Sequence, residues 1–138
     1  MVEINAIYEG ALRCVATHGP SCATLNTDAP KDNMGKGEAF SPTDLVATAL
    51  GTCMMTIMGI AAQKMNVDLR GATVNVQKEM AATGPRRIGK LSVEFHIPTP
   101  LTSEQQEKLR NAAMTCPVHK SMHPDVQMPV SFHFASKA

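Results

Sequence analysis

Two of the four cysteines, Cys53 and Cys116, lie in sequence contexts that could support thiol chemistry. Pro117 favours the first position of a helix, so Cys116 is predicted to cap a short helix that runs from Pro117 to Met122. Unpaired N–H groups at such a terminus stabilise an anion, and we therefore expect a lowered pKa for the Cys116 thiol. Cys53 lies inside an apolar stretch, where a lone buried cysteine is most often an inert small side chain.

Metal binding is a second chemistry open to Cys116. Together with His119 and His123 it forms a Cys-x-x-His-x-x-x-His spacing, and Cys53 could supply a fourth ligand. A structural zinc site usually needs two close ligand pairs, so surface histidines on a short helix are the simpler interpretation. The sequence therefore predicts neither a metal nor a cofactor.

The helix that carries Cys53 has the clearest start signal in the sequence. Ser41 is an N-cap residue, Pro42 fits the first helical position, and Asp44 places a carboxylate at the third. From Leu45 to about Ala62 the chain is apolar nearly all round, which is typical of a buried helix.

The remaining elements predict an α+β fold. Thr102 caps a second helix, whose apolar positions lead directly to Cys116. The predicted strands are Val2–Tyr8, Ala11–Thr17, Cys22–Thr27, Ala72–Ala82, Arg87–Ile97 and Val126–Phe134. The segment Asp28–Phe40 is predicted to be an exposed connection. The order strands, helix, strands, helix, strand indicates a single α+β domain over residues 1–138.

Charge and composition argue against several classes of partner. The chain has 13 basic and 12 acidic residues, so no strong field would gather nucleic acid or an anionic membrane. Asp44 and Lys64 bracket the apolar helix closely, which favours a soluble protein over a membrane span. The first residues do not resemble a signal peptide, and four cysteines are too few for a disulfide-rich secreted scaffold. We therefore expect a cytoplasmic protein with free thiols, and we assign no function to Cys14 and Cys22.

Two stretches of the sequence resemble signatures of a known superfamily. Ser41 to Cys53, with the sequence SPTDLVATALGTC, is similar to the helix of the osmotically inducible protein C and organic hydroperoxide resistance (OsmC/Ohr) superfamily. In that helix, Asn/Ser-Pro-x-Glu/Asp-Leu precedes a reactive cysteine. Cys116-Pro117-Val118-His119 resembles the second signature of the superfamily, and the resemblance covers essentially the whole chain. It implies antiparallel sheets wrapping a long central buried helix, in an intertwined homodimer with two equivalent sites at the subunit interface.

The resemblance also implies a thiol-dependent peroxidase that serves an oxidative or osmotic stress response. The thiolate of Cys53 would attack an organic hydroperoxide, become a sulfenic acid and release an alcohol. Cys116 would then condense with it to form a disulfide, which a dithiol such as a lipoyl group, or another small thiol, would reduce. Leu50, Met54 and Met58 are expected to line an apolar pocket that prefers organic peroxides over hydrogen peroxide.

The charged residues depart from the hydroperoxide-resistance pattern. Those members carry a glutamate where this chain has Thr43, and Asp44 follows one residue later. Their arginine lies in the first turn between strands, near Arg13 here, whereas members closer to the osmotically inducible branch suggest Lys36, which would supply charge without a fork of donors. The alternative to a peroxidase is a non-catalytic, redox-sensitive stress protein that binds a small apolar ligand at the dimer interface. The predicted catalytic residues are Cys53, Cys116, Arg13 and Asp44, with Lys36 as the alternative basic residue.

Overall fold

The computed structural model describes residues 1–135 and has a mixed α+β architecture. Its strands are β1 (Ile4–Gly10), β2 (Arg13–His18), β3 (Thr24–Asp28), β4 (Thr73–Met80), β5 (Ile88–Ile97) and β6 (Val130–Phe134). Its helices are α1 (Pro42–Lys64), α2 (Ser103–Ala113) and α3 (Pro117–Ser121), and a short 3₁₀ turn covers Lys31–Asn33. The chain divides into two compact units, residues 1–46 and the residues from 47 onward. Helix α1 begins in the first unit and continues into the second.

The first unit is built on an antiparallel meander in the order β1-β2-β3. A tight turn joins β1 to β2, and Gly10, Ala11 and Leu12 adopt positive φ values of 84°, 54° and 63° there. Every β1 side chain before Gly10 is exposed, and Ile7 and Tyr8 are 71% and 63% accessible. Strand β1 therefore leaves large apolar side chains in contact with solvent.

The second unit contains a sheet in the order β4-β5-β6. Strand β5 pairs with β4 in antiparallel orientation, whereas β6 joins its other edge in parallel. Side chains on successive strand residues point to opposite faces, so one face of β5 is apolar and the other polar. The buried residues of β5 are Leu91, Val93, Phe95 and Ile97.

Helix α1 contributes one apolar side to the core of the second unit. Leu50, Met54, Met58 and Ala62 recur every four residues and are all fully buried. Gly51 lies beside them where the helix approaches β4, and a Cβ at this position would come 2.7 Å from Cγ2 of Val76. Because Val76 is β-branched and stiff, only glycine fits there without displacing the sheet.

The α+β fold is confirmed, and the predicted elements occur in the predicted order. The prediction of antiparallel sheets is wrong for β6 alone, because β6 pairs with β5 in parallel. The prediction that α1 is buried on all sides is only partly right, because the side of the helix opposite to its buried residues is exposed. The exposed residues of α1 include Ala49, Thr52, Thr56 and Ile60.

Helix α1 also has the length and composition of a membrane span. Its most apolar window of 18 residues has a mean hydropathy of 1.8, and a third of that window is buried within the chain. Core helices of soluble proteins have the same length and hydropathy, so these two properties do not identify a membrane span.

Candidate active site

The two predicted reactive cysteines lie together in the second unit. Cys53 is half-buried on α1, and Cys116 is fully buried immediately before α3. Both are free thiols, and Cys53 is close enough to Cys116 to raise the pKa of its thiol. The fold therefore brings two thiols that could form a disulfide into the same region.

Local sequence explains how Cys116 reaches this position. Helix α2 begins with a reciprocal capping box, in which the Thr102 N–H donates to Oε1 of Gln105 at 2.9 Å and the Gln105 N–H donates to Oγ1 of Thr102 at 3.1 Å. From there, Leu109, Ala113 and Cys116 follow at spacings of four and three residues, and all three are fully buried. Cys116 therefore continues the buried side of α2 beyond the end of that helix.

Cys116 is also the N-cap of α3, as predicted. Pro117 occupies the start of the helix, and the N–H of His119 donates to the Cys116 sulfur at 3.4 Å. This bond satisfies one of the backbone donors that a helix start leaves unpaired. The short helix thus fixes the direction of the thiol.

The prediction that the pKa of Cys116 is lowered is nevertheless wrong. Burial raises the pKa of the Cys116 thiol, and the hydrogen bond with Cys53 raises it further. The backbone N–H groups of His119 and Val118 act in the opposite direction but do not outweigh these two causes. Desolvation penalises the charged form of a thiol, so Cys116 stays protonated at neutral pH.

Asp44 has a structural partner at the start of α1. The N–H of Ser41 donates to Oδ2 of Asp44 at 2.9 Å, and the N–H of Asp44 donates back to Oγ of Ser41 at 3.1 Å. Ser41 itself is buried, at 1% accessibility. The carboxylate therefore takes part in a reciprocal cap that fixes where α1 begins, as the sequence predicted.

Arg13 lies in a cluster of charged groups within the first unit. Its guanidinium donates to Oδ2 of Asp28 at 3.4 Å and also forms an ion pair with Glu38. The backbone N–H of Glu38 donates to the same Asp28 oxygen at 3.0 Å. This N–H and the Arg13 guanidinium hold the pKa of Asp28 below its usual range, although its carboxylate is buried.

Asp28 was missed by the sequence interpretation, which placed it in an exposed connection. The register of the meander could have found it, because Arg13 of β2 and Asp28 of β3 are direct cross-strand partners. Lys36, the alternative basic residue, is exposed beyond the 3₁₀ turn. Within the first unit, Arg13 is thus the basic residue that two carboxylates hold in place.

The proposed pocket lining requires a correction. Leu50, Met54 and Met58 are fully buried in the core, with no accessible surface, and so they do not line an open pocket. Residues one turn from Cys53 on its own side of α1 do keep accessible surface. These are Ala49, Thr56 and Ile57, of which the first two are exposed and the third is half-buried.

The hypothesis of a metal site at Cys116, His119 and His123 is not supported. Within residues 1–135, the one group of three or more His, Cys, Asp and Glu ligand atoms close enough to share an ion is elsewhere. It consists of Glu94, His96 and His133. The histidines after Cys116 instead fit the simpler interpretation of side chains on and beyond a short helix.

The fold and the site together define an α+β protein with a thiol pair between a long helix and a short capped one. The OsmC-like protein family matches residues 35–131, a range that includes both cysteines. The chain belongs to this family.

Known structures agree with this assignment. A candidate osmotic stress induced and detoxification response protein from Psychrobacter arcticus 273-4 is 47% identical, with 96% of each chain covered and a TM-score of 0.91. An organic hydroperoxide resistance protein OsmC from Legionella pneumophila is 20% identical over 96% of each chain, with a TM-score of 0.72. An OsmC-like protein from Mycoplasma pneumoniae is 14% identical over 99% of this chain and 98% of that chain, with a TM-score of 0.81. The last two show the fold alone, and no curated protein matches the chain.

Proposed function

We propose that this protein reduces organic hydroperoxides with Cys53 as the peroxide-attacking thiolate and Cys116 as the resolving thiol. The observation that carries the proposal is that these two free thiols lie close enough together in the second unit for Cys53 to raise the pKa of Cys116. Family membership and the 47% identical relative, which is named as a candidate osmotic stress induced and detoxification response protein, support a role in a stress response.

The proposed cycle has three balanced steps. The Cys53 thiolate attacks the outer oxygen of the hydroperoxide, the O–O bond breaks, and the alkoxide leaves as an alcohol after taking up one proton. The Cys53 sulfenic acid then condenses with the Cys116 thiol, and the hydroxyl leaves as water with the thiol proton. An external dithiol or two small thiols reduce the disulfide and are themselves oxidised to a disulfide.

The surroundings of the two sulfurs support this division of roles. Cys116 is buried and its raised pKa keeps it protonated, so it is poorly suited to begin the attack. As a thiol, Cys116 can donate a hydrogen bond to the Cys53 sulfur. It can also supply the proton that leaves with the hydroxyl group of the sulfenic acid as water. Cys53 keeps accessible surface on α1, which a peroxide needs in order to reach it.

The roles proposed for Arg13 and Asp44 rest on the sequence resemblance. Arg13 would stabilise negative charge that develops as the O–O bond breaks, with Asp28 and Glu38 holding its guanidinium. Asp44 would contribute by fixing the start of α1 through Ser41, and thereby the position of Cys53 on that helix.

We further propose that the protein is a homodimer in a reducing cytoplasm. Exposed large apolar side chains, taken in each unit by itself, favour a partner surface, because exposed apolar area commonly marks an interaction site. They include Ile4, Ile7 and Tyr8 of β1 and Phe40 in the first unit, and Ile60 of α1 in the second. Light scattering should give about twice the chain mass of 14.8 kDa, whereas a monomer would contradict the proposal.

The deciding experiment compares consumption of cumene hydroperoxide and hydrogen peroxide by the reduced protein, followed by peptide mass analysis. We expect faster loss of the organic peroxide and a Cys53–Cys116 disulfide in the product. Cys22→Ser is the matched control, because Cys22 is an exposed thiol.

A slow, unselective loss of both peroxides, with both thiols surviving, would contradict the peroxidase proposal. It would favour the redox-sensitive protein that binds a small apolar ligand. Disulfide formation with another cysteine would instead contradict the assigned pairing.

A further inference from the structure

A cluster of two histidines and a glutamate lies on the polar face of the sheet in the second unit. Glu94 and His96 are two residues apart on β5, so their side chains point to the same face. His133 of β6 is the direct parallel partner of His96. The three side chains are therefore brought together by the strand register, and flexible loops play no part.

The two imidazole rings approach the same carboxylate oxygen. Nε2 of His96 lies 2.9 Å from Oε1 of Glu94, and Nε2 of His133 lies 3.0 Å from the same oxygen. The two imidazole rings are stacked, with centroids 4.6 Å apart and planes 13° from parallel. All three ligand atoms lie within 4.8 Å of one another.

We propose that Glu94, His96 and His133 bind a divalent transition metal ion of the zinc, nickel or copper type. Imidazole nitrogens suit these ions, and a carboxylate oxygen is an accepted third ligand. Zinc at about 2.1 Å from each ligand separates the ligand atoms by roughly 3.4 Å in a tetrahedron. Two of the separations already lie near that value, so small side-chain rotations complete the geometry.

The site is open to the solvent on one side. The side chains of His96, His133 and Glu94 are 57%, 53% and 45% accessible. An ion can therefore enter without unfolding of the sheet, and water can fill the remaining coordination position. Such a site exchanges its ion, in contrast to a closed structural zinc site.

A plain surface ion pair is the simpler explanation of a single histidine beside a glutamate. Two neutral imidazoles that each donate an Nε2–H to the carboxylate give the same hydrogen bonds, and the strand register accounts for the ring stacking. In the other neutral tautomer each ring presents its Nε2 lone pair at the same place, so one metal ion can take the position between the three ligand atoms. The proposal is independent of the thiol chemistry of Cys53 and Cys116.

The test is calorimetric titration of the folded full-length chain with zinc chloride. Both arms carry Cys53→Ser and Cys116→Ser, so that the thiol pair cannot take the ion. We expect one saturable site and, in the His133→Asn variant, an affinity at least about tenfold lower. The His18→Asn variant is the matched control and should bind as tightly as the parent.

Zinc-induced shifts of the imidazole NMR signals identify the ligands directly. The signals of His96 and His133 should shift with one equivalent, while that of His18 should not. If His133→Asn does not fold, Glu94→Gln tests the same site, because the amide keeps the hydrogen bonds but removes the anionic ligand. No saturable binding below about 1 mM zinc, or a loss of less than tenfold in the folded variant, overturns the proposal.

Discussion

The surroundings of Cys53 and Cys116 differ although the two thiols lie in the same region of the second unit. Cys53 is half-buried on α1, whereas Cys116, which lies between α2 and α3 in the chain, has no accessible surface. Burial and the neighbouring Cys53 raise the pKa of Cys116 and keep its thiol protonated. The difference teaches that depth, rather than helix capping, decides the direction in which the pKa of the Cys116 thiol shifts.

The largest expected effect comes from removing the thiol of Cys53. We predict that Cys53→Ser reduces peroxide consumption to the level of the buffer, because a serine hydroxyl does not form the reactive anion at neutral pH. Stopped-flow measurement of the first turnover checks this. Equal first-turnover activity in the variant would reverse the roles of the two cysteines.

Removing the thiol of Cys116 should have a smaller and different effect. We predict that Cys116→Ser consumes one equivalent of organic peroxide per chain and then stops, because no thiol remains to condense with the sulfenic acid. A sulfenic-acid-specific reagent should label Cys53 in this variant. Sustained turnover with a dithiol present would show that Cys116 is not required for resolution.

The role proposed for Arg13 is tested by a matched pair of substitutions, Arg13→Ala and Lys36→Ala. We predict that Arg13→Ala lowers the rate of sulfenic acid formation by about a hundredfold, the scale of losing one charge-stabilising donor. Lys36→Ala should leave that rate unchanged, because Lys36 is exposed. Pre-steady-state kinetics with cumene hydroperoxide measures both rates, and the opposite ranking would assign the role to Lys36.

Two glycines of α1 test how closely the helix carrying Cys53 approaches the sheet. A Cβ at Gly51 would come 2.7 Å from Val76, whereas a Cβ at Gly59 would have no neighbour within 4 Å. Alanine improves helix propensity at both positions, but overpacking at Gly51 costs about 1–3 kcal/mol. We predict that Gly51→Ala is less stable than Gly59→Ala by about that amount in urea unfolding. Equal stabilities would mean that β4 moves away from the helix at little cost in free energy.

Local signals predicted the elements of this fold because each depends on neighbours in sequence. The caps at Ser41 and Thr102, and the proline after Cys116, all start helices where expected. Their rules concern bonds within a few residues. The same applies to the order of the strands along the chain.

The features that were missed depend on contacts between distant parts of the chain. The parallel pairing of β6, the burial of Asp28 and the raised pKa of Cys116 all arise from residues far away in sequence. The pairing of Cys53 with Cys116 came from the family resemblance, since periodicity alone indicated an inert thiol at Cys53. The cluster at Glu94 and its histidines likewise needs the strand register.

The smallest predicted effect is the contribution of Cys116 to the pH dependence of the free energy of unfolding. Its pKa is raised in the folded state, so above roughly pH 8.5 the unfolded chain loses the thiol proton while the folded chain keeps it. The free energy of unfolding of the reduced protein should therefore be at its full value below that pH. It should fall as the pH rises, by up to about 1.4 kcal/mol per pH unit, until the folded-state pKa is passed.

Other groups titrate in the same range, so the comparison is between slopes and not between absolute stabilities. Cys116→Ala should remove the contribution of the buried thiol to the slope of unfolding free energy against pH. Cys22→Ala should keep that contribution, because Cys22 is exposed. Urea unfolding at several pH values under reducing conditions measures each slope. If Cys116→Ala and the parent have the same slope, the buried thiol is not held protonated, and the distinction between the two cysteines loses its electrostatic basis.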